Sequence, residues 1–211
     1  MRSKPLLQAA CAFLLLSFAT WSTLRSCQGP RINLNPYQAL GTIAAQEAAS
    51  LVGDKGRLLL ILPDTGPDRD PAMGALLKAF RSELKPHRNV EIEATEGVRL
   101  DPFTSMQTGG AVPPDRYLAI RSKFPEIAGI VLFLPFPPLT ETELESPGKR
   151  RAKVLVVSAN LPTYRDLLLS GAIDVAIVPR ATTAEPRREK PASPREAFDQ
   201  ENEILRGKPA E

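Results

Sequence analysis

The sequence predicts an α/β fold: a doubly wound, five-stranded parallel sheet of order 2-1-3-4-5, in a three-layer sandwich that forms a single lobe. Two observations support this prediction. Five strand-like segments alternate with helix-like segments, and three of the strands are continuous apolar runs. Strands that are apolar on both faces belong to parallel sheets covered by helices on both sides. Right-handed crossovers make this strand order the simplest assembly.

The predicted elements alternate along residues 37–180. Helices show apolar residues at three- and four-residue spacing, whereas strands show apolar runs or strict alternation. The helices are predicted over 37–52, 72–84, 114–124 and 161–170. The strands are predicted over 56–63, 90–96, 129–135, 153–159 and 174–180. Gly53 and Gly171 follow two of the helices, and Pro113 and Pro114 suit a first helical turn.

Composition divides the chain into four segments. Residues 1–27 form a signal or anchor segment, and residues 28–36 form a short tether with Pro and Asn. The α/β domain covers residues 37–181. Residues 182–211 are charged and rich in Pro, so we expect a disordered tail with at most one short helix, over 194–205.

Residues 1–27 have the shape of a secretory signal, with a basic start and an apolar stretch. Three readings stay open. Small residues around Ala19 suit cleavage after that residue. The residues Leu24-Arg25-Ser26, directly before Cys27, resemble a lipobox, which would place a lipid on Cys27. Alternatively, residues 6–24 approach the ~20 residues that span a bilayer and would stay as an anchor. Each reading exports the domain to the periplasm, or anchors it facing the periplasm or the exterior.

The charge balance argues against nucleic-acid binding. The chain has 27 basic and 24 acidic residues, and Arg2, Lys4 and Arg25 of the leader account for the whole difference. The rest of the chain is therefore neutral and lacks the basic surface that nucleic-acid binding requires. We expect contact with a membrane through the N-terminal segment only.

The body of the chain has no cysteine and a single histidine, the residue types on which most metal sites and many nucleophilic catalytic sites depend. The two cysteines are Cys11 and Cys27, and the only histidine is His87, in a polar loop. Disulfides, thiolate metal sites and triads with histidine are therefore not expected in the body. The absence of GxGxxG, GxxxxGK[ST] and GxSxG phrases argues against a nucleotide cofactor and a hydrolase elbow. We predict no cofactor and no metal.

Candidate binding residues follow the ends of the predicted strands, because ligands of doubly wound sheets bind beyond the carboxyl ends of the strands. These candidates are Asp64, Thr65, Phe136, Asn160, Tyr164 and Arg180. Asp64 would accept hydrogen bonds from hydroxyl or amine groups, and Asn160 would both donate and accept. Phe136 or Tyr164 would offer a stacking face, and Arg180 would pair with a carboxylate.

Five stretches of the sequence follow one another in a known pattern. They are GTIAAQEAASLVGDKGRLLLILPDT, AMGALLKAFRSELKPHRNVEIEATE, FPEIAGIVLFLP, KVLVVSA and LLLSGAIDVAIVPR. This succession resembles one lobe of the type I periplasmic sugar-binding proteins, and also the related ligand-sensing domains of lactose-repressor-type regulators. The resemblance covers about residues 37–180 and implies a binding lobe without enzymatic activity.

The chain departs from that family where a ligand would be held. The family clamps its ligand between two lobes, whereas this chain has length for one. The family's Asn-Asp phrase after strand 3 is replaced by Phe136-Pro137-Pro138, and its Gly-Phe-Asp phrase after strand 4 by Ser158-Ala159-Asn160. The resemblance therefore implies a binding ancestry, with a sugar-like solute or a carboxylate as the expected ligand.

Three functional hypotheses follow. The first is an exported, envelope-associated, non-enzymatic protein that binds a small solute or a partner, closed by a homodimer or by an envelope protein. The second is an envelope scaffold without a small-molecule ligand, which the prolines that end three strands favour. The third is an enzyme that uses loop carboxylates near one edge of the sheet: Asp64, Asp68, Asp70 and Asp101.

Overall fold

The computed structural model describes residues 33–53, 55–64, 70–144, 151–157, 164–180 and 191–207. In chain order, its elements are α1 (Asn35–Val52), β1 (Gly56–Pro63), α2 (Pro71–Leu84), β2 (Val90–Val98), α3 (Pro102–Thr108), α4 (Pro114–Lys123), β3 (Gly129–Leu132), α5 (Glu141–Leu144), β4 (Lys153–Val157), α6 (Tyr164–Leu169), β5 (Val175–Pro179), α7 (Pro194–Glu201) and β6 (Asn202–Arg206). Each helix and strand predicted between residues 37 and 180 has a counterpart here. The predicted bounds differ from the observed ones by a few residues.

The strands form one sheet of order β2-β1-β3-β4-β5-β6. The first five are parallel and lie in the predicted order 2-1-3-4-5. The predicted number of strands was wrong, because β6 pairs with β5 in the antiparallel direction. β6 has the sequence NEILR and is only partly buried, so it lacks the apolar run of an inner strand. Backbone hydrogen bonds hold it at the open edge of β5, and such bonds leave no pattern in a sequence.

Helices cover both faces of the sheet, which confirms the three-layer arrangement. In β1, Leu58 and Leu60 belong to one core, together with buried side chains of α1, α2 and α7. Leu59 and Ile61 belong to the other core, together with buried side chains of α4 and α6. This alternation explains why β1 is apolar at every inner position: each face of the strand meets its own helical layer.

The predicted disordered tail was wrong for its described part. Residues 191–207 form α7 and β6, and the helix predicted over 194–205 ends at Glu201. Phe198 is 1% exposed and lies in the core that α1 and α2 share. Arg206 Nη2 in β6 donates to both carboxylate oxygens of Glu47 in α1, at 2.7 Å. The segment is folded because one aromatic side chain and a strand edge hold it, although its composition is polar.

The first helix begins earlier than predicted. Asn35 and Pro36, predicted to end the tether, already belong to α1. Within the described residues, no helix is long and apolar enough to cross a membrane.

Helices α1 and α2 pack closely at a glycine. A Cβ added to Gly41 would overlap the carbonyl oxygen of Leu76 in α2. Glycine at this position therefore lets the two backbones approach, and this fixes α1 over the sheet.

Candidate ligand-binding edge

The carboxyl edge of the sheet is the edge at which the parallel strands β1 to β5 end. In doubly wound folds this edge holds the ligand. Asp64 directly follows β1, and its backbone N–H donates to the carbonyl of Val98 at the end of β2, at 2.9 Å. Gly97 lies beside it, where an added Cβ would be 3.4 Å from the Cβ of Asp64. The chain therefore fixes the backbone of Asp64 at this edge while its side chain stays accessible.

The carboxylate of Asp64 forms an exposed ion pair. Arg99 Nε lies 3.4 Å from Asp64 Oδ2, and the two side chains are 79% and 48% exposed. Ion pairs in water at such exposure contribute little to stability, at most about 1 kcal/mol. A ligand can therefore displace Arg99 from Asp64 at a small cost in free energy, or bind to both side chains.

Arg180 lies at the same edge but far from Asp64. Its backbone N–H donates to the carbonyl of Glu201 at 2.8 Å, at the junction of β5 and α7. Between β1 and β5 lie β3 and β4, so the ends of β1 and β5 are roughly 14 Å apart, at ~4.8 Å per strand spacing. The structure therefore does not place the backbones of Asp64 and Arg180 side by side.

The two aromatic candidates are inside the protein. Phe136 and Tyr164 are each 3% exposed and belong to the core beneath α4 and α6. The ring of Phe136 packs edge-on against the ring of Tyr117 in α4, with centroids 5.7 Å apart. Neither ring presents the open stacking face expected from the sequence. Thr65, Asn160 and Cys27 lie outside the described residues.

A small cavity at the carboxyl edge was not predicted. It has a volume of about 210 Å³ and is lined mostly by apolar side chains from both helices and strands, with three polar ones, Tyr37, Asp70 and Asn202. Ligand sites usually measure about 300–1,000 Å³, so this cavity is small for a sugar. Asn202 lies in the segment predicted as tail, so no sequence pattern pointed to this wall. Asp70 is engaged as the N-cap of α2 and accepts from the N–H groups of Ala72 and Met73.

Comparisons with solved structures find a similar fold in lobes of solute-binding proteins. An ABC transporter solute-binding protein from Agrobacterium vitis, bound with α-D-tagatopyranose, has a TM-score of 0.50 and 24% identity, covering 67% of this chain and 44% of that one. The fold is that of one lobe of these solute-binding proteins. An arabinose-binding protein from Geobacillus stearothermophilus gives a TM-score of 0.48 and 16% identity, over 67% of this chain and 45% of its own. A sugar-binding protein from Bacillus halodurans gives 0.47 and 21%, over 68% and 46%.

The lobe thus spans less than half the length of the solute-binding proteins that it matches. The resemblance found in the sequence is confirmed for the fold. The sequence matches no protein-family model and no curated protein.

A second, larger groove lies on the outer helical layer of the lobe. It measures about 520 Å³ and runs between α1 and α2, bounded by residues 191–194 and Ala197. Gln38, Thr42, Lys78 and Glu83 give it polar walls. Sequence analysis missed this groove because one of its walls belongs to the predicted tail.

Shifted pKa values in the lobe have structural causes. Hydrogen bonds from Thr104 and Phe103 at the start of α3 lower the pKa of the Asp101 carboxyl. Hydrogen bonds from Thr140 lower the pKa of Glu143 in the same way. Burial raises the pKa of the Tyr117 phenol to about 12, partly offset by Arg121 and Arg151. These groups lie apart, at two helix starts and in a core, and do not form an acid–base pair.

The buried interior of the lobe is apolar. In the described part of the chain, every buried side chain is hydrophobic, apart from buried tyrosines with polar hydroxyls. Within those same residues, no three His, Cys, Asp or Glu side chains are grouped so that they could hold a metal ion. What the carboxyl edge offers chemically is hydrogen bonding and ion pairing at its surface.

Proposed function

We propose that the chain is an exported, envelope-associated, non-enzymatic protein that binds a small solute at the carboxyl edge of its single lobe. The proposal rests on one observation: the parallel strands end at one edge of a lobe with an apolar interior, and the exposed ion pair of Asp64 and Arg99 lies at that edge. The similar lobe from Agrobacterium vitis belongs to a protein bound with α-D-tagatopyranose. That protein provides the precedent for a polar, sugar-like ligand.

The chemistry of the edge selects the class of solute. Asp64 accepts hydrogen bonds from hydroxyl groups, while the guanidinium of Arg99 beside it pairs with a carboxylate. With Phe136 and Tyr164 buried, recognition does not rely on aromatic stacking. A hydroxylated acid, such as a sugar acid, offers hydroxyl groups to Asp64 and a carboxylate to Arg99. Arg180 would contact a longer ligand or a second molecule, and Thr65 and Asn160 remain candidates.

The shifted pKa values among the described residues have local structural causes. Catalytic groups usually have pKa values shifted by burial and by a charged partner in a cleft. Here the lowered pKa values of Asp101 and Glu143 come from hydrogen bonds at helix starts. Of the loop carboxylates of the third hypothesis, Asp68 lies outside the described residues, and the other three have separate structural roles. Asp70 and Asp101 cap helices, and Asp64 pairs with Arg99.

One lobe offers only a shallow site, so closure requires a second surface. A solute bound by one lobe remains largely exposed to water. Its contacts therefore offset only a small part of the free energy that its immobilisation costs. We propose that a second copy of the chain, or an envelope protein, covers the carboxyl edge when the solute is bound. The N-terminal segment would attach the domain to the membrane, either as a retained apolar anchor or through a lipid on Cys27.

The proposal is tested by calorimetry on residues 28–211, which include both hydrophobic cores. D-tagatose, D-arabinose and D-galacturonate are titrated into the protein. We expect saturable binding, strongest for the sugar acid, that weakens at least about tenfold in Asp64→Asn and in Arg99→Gln, since each loses a charged hydrogen bond. Glu91→Gln is the matched control, because Glu91 is an exposed acid at the opposite end of the sheet. Equal losses in all three variants would contradict a site at Asp64.

A second candidate function is an envelope scaffold without a small ligand. The small, mostly apolar cavity at the carboxyl edge and the buried Phe136 and Tyr164 favour it. A folded protein that gives no heat with any solute in the panel would support this reading over the first. Chemical crosslinking in intact cells would then identify the envelope protein that contacts the edge.

A further inference from the structure

The short helix α3 exposes two large apolar side chains. Phe103 is 70% exposed and Met106 is 85% exposed, and no residue of α3 is buried. Residues three apart in a helix lie on the same face, so the two side chains form one apolar pair. Exposed apolar pairs on a helix without buried residues point to a surface that meets something other than water.

The helix is held firmly at the carboxyl edge. Asp101 caps its start by accepting from the N–H groups of Phe103 and Thr104, each at 3.0 Å. Gly109, with φ of 62°, ends it in the left-handed conformation. Before α3 the chain pairs at Val98 with the end of β1, and after α3 the N–H of Val112 donates to the carbonyl of Pro135, at 3.3 Å. Both ends of α3 are therefore fixed to the carboxyl edge.

The chain enters the domain at this same edge. Tyr37, in the first turn of α1, lines the small cavity together with Val157, the last residue of β4. Eight residues, 25–32, separate the apolar stretch 6–24 from the described domain. Eight extended residues span at most about 29 Å. An apolar stretch held in a membrane therefore keeps the carboxyl edge within that distance of the lipid.

We infer that Phe103 and Met106 insert into the lipid surface to which the N-terminal segment attaches, so that α3 lies against the bilayer. This inference rests on the membrane attachment in the proposed function. Two side chains are far fewer than the roughly 20–30 residues per side of a stable protein interface. They suffice at a membrane, because the tether makes insertion an intramolecular step at high effective concentration.

The charges around α3 indicate which lipids are needed. Asp64, Asp101 and Arg99 give the neighbouring surface both signs, and it has no basic cluster among its described residues. Attraction to anionic headgroups is therefore not required, and zwitterionic lipid is the suitable probe. Leu169 provides a built-in comparison. It is 72% exposed and ends α6, just before β5 begins at the opposite edge of the sheet.

The test uses the full chain in vesicles of phosphatidylcholine with brominated acyl chains, which quench nearby tryptophan. The native Trp21 lies in the apolar stretch, so both variants carry Trp21→Phe. One adds Phe103→Trp and the other adds Leu169→Trp. We expect the tryptophan at position 103 to shift to the blue and to be quenched at least about threefold more than the one at position 169. Equal quenching at the two positions would overturn the inference.

Two further measurements separate the possible failures. Flotation of the full chain with the vesicles reports attachment, and far-UV circular dichroism of both variants reports folding. A folded chain that does not float overturns membrane attachment and this inference together. A folded chain that floats with equal quenching overturns insertion alone. Finally, Met106→Ser in the Phe103→Trp background should reduce quenching, because half of the apolar pair is lost.

Discussion

Replacing Phe198 by alanine tests whether the polar C-terminal segment belongs to the folded domain. Phe198 is 1% exposed, in the core that α1 and α2 share with the sheet. Beyond its Cβ, the side chain buries roughly 150 Å² of apolar surface, worth about 4 kcal/mol at ~25 cal/mol per Å². Losses for buried Phe to Ala run at about 3–5 kcal/mol, and we expect this range. A residue in a disordered tail would change the free energy of unfolding by nearly nothing.

The assay is urea denaturation of residues 28–211, followed by far-UV circular dichroism. Glu201→Ala is the matched control. Glu201 is an exposed residue of the same helix, and we expect a change within about 0.5 kcal/mol. Phe198→Leu keeps most of the apolar surface and should lose only about 1–2 kcal/mol, which keeps the test readable if the alanine variant does not fold. A loss below about 1 kcal/mol in Phe198→Ala would refute the packing of α7.

Three further changes probe the packing around the site. Gly41→Ala should destabilise the domain by about 1–3 kcal/mol in urea, because the new Cβ overlaps the backbone of α2, although alanine is the better helix former. Asp70→Ala should cost about 1 kcal/mol by removing the cap of α2, whereas Asp70→Asn, which keeps an acceptor, should cost much less. Tyr117, with its pKa raised to about 12, should ionise above the ordinary range of a phenol in an absorbance titration, and Tyr117→Phe should remove that step.

Each of these has a contrary outcome. An unchanged or more stable Gly41→Ala would mean that α1 and α2 do not meet at this glycine. Equal losses in the two Asp70 variants would rule out the cap. For Tyr117, the folded protein keeps the proton longer than the unfolded chain, so its contribution to stability is complete below pH 10 and is lost as the pH rises towards 12. A Tyr117 phenol that titrates near the ordinary pKa of ~10 would contradict its burial.

The aromatic candidates show where sequence reasoning about the site fails. An aromatic residue just after a strand can line a pocket or fill the core, and its position in the sequence is the same in both cases. Phe136 fills the core because Tyr117 in α4, a separate helix, provides a ring for it to pack against. That contact depends on how α4 lies on the sheet, which no local pattern records.

The charged candidates were placed at the correct edge, but their separation depends on the fold. Parallel strands put their carboxyl ends on one edge, so Asp64 and Arg180 could both be assigned to it from the sequence. The distance between them follows from the number of strands that intervene, here β3 and β4. Arg99, the partner of Asp64, follows β2 and was not predicted, because the pairing arises only where β2 lies beside β1.

The five parallel strands, their order and the helices between them could all be predicted from the amino-acid pattern. Apolar runs and helical spacing report which faces are buried, and right-handed crossovers leave few ways to order the strands. The assembled fold was needed to show that residues 191–207 are folded, that β6 pairs with the edge of β5, and that α3 leaves Phe103 and Met106 exposed. These features depend on the unpaired edge of a strand and on single side chains that contact residues distant in the sequence. A periodic pattern carries no information about such partners, and they exist only once the sheet is assembled.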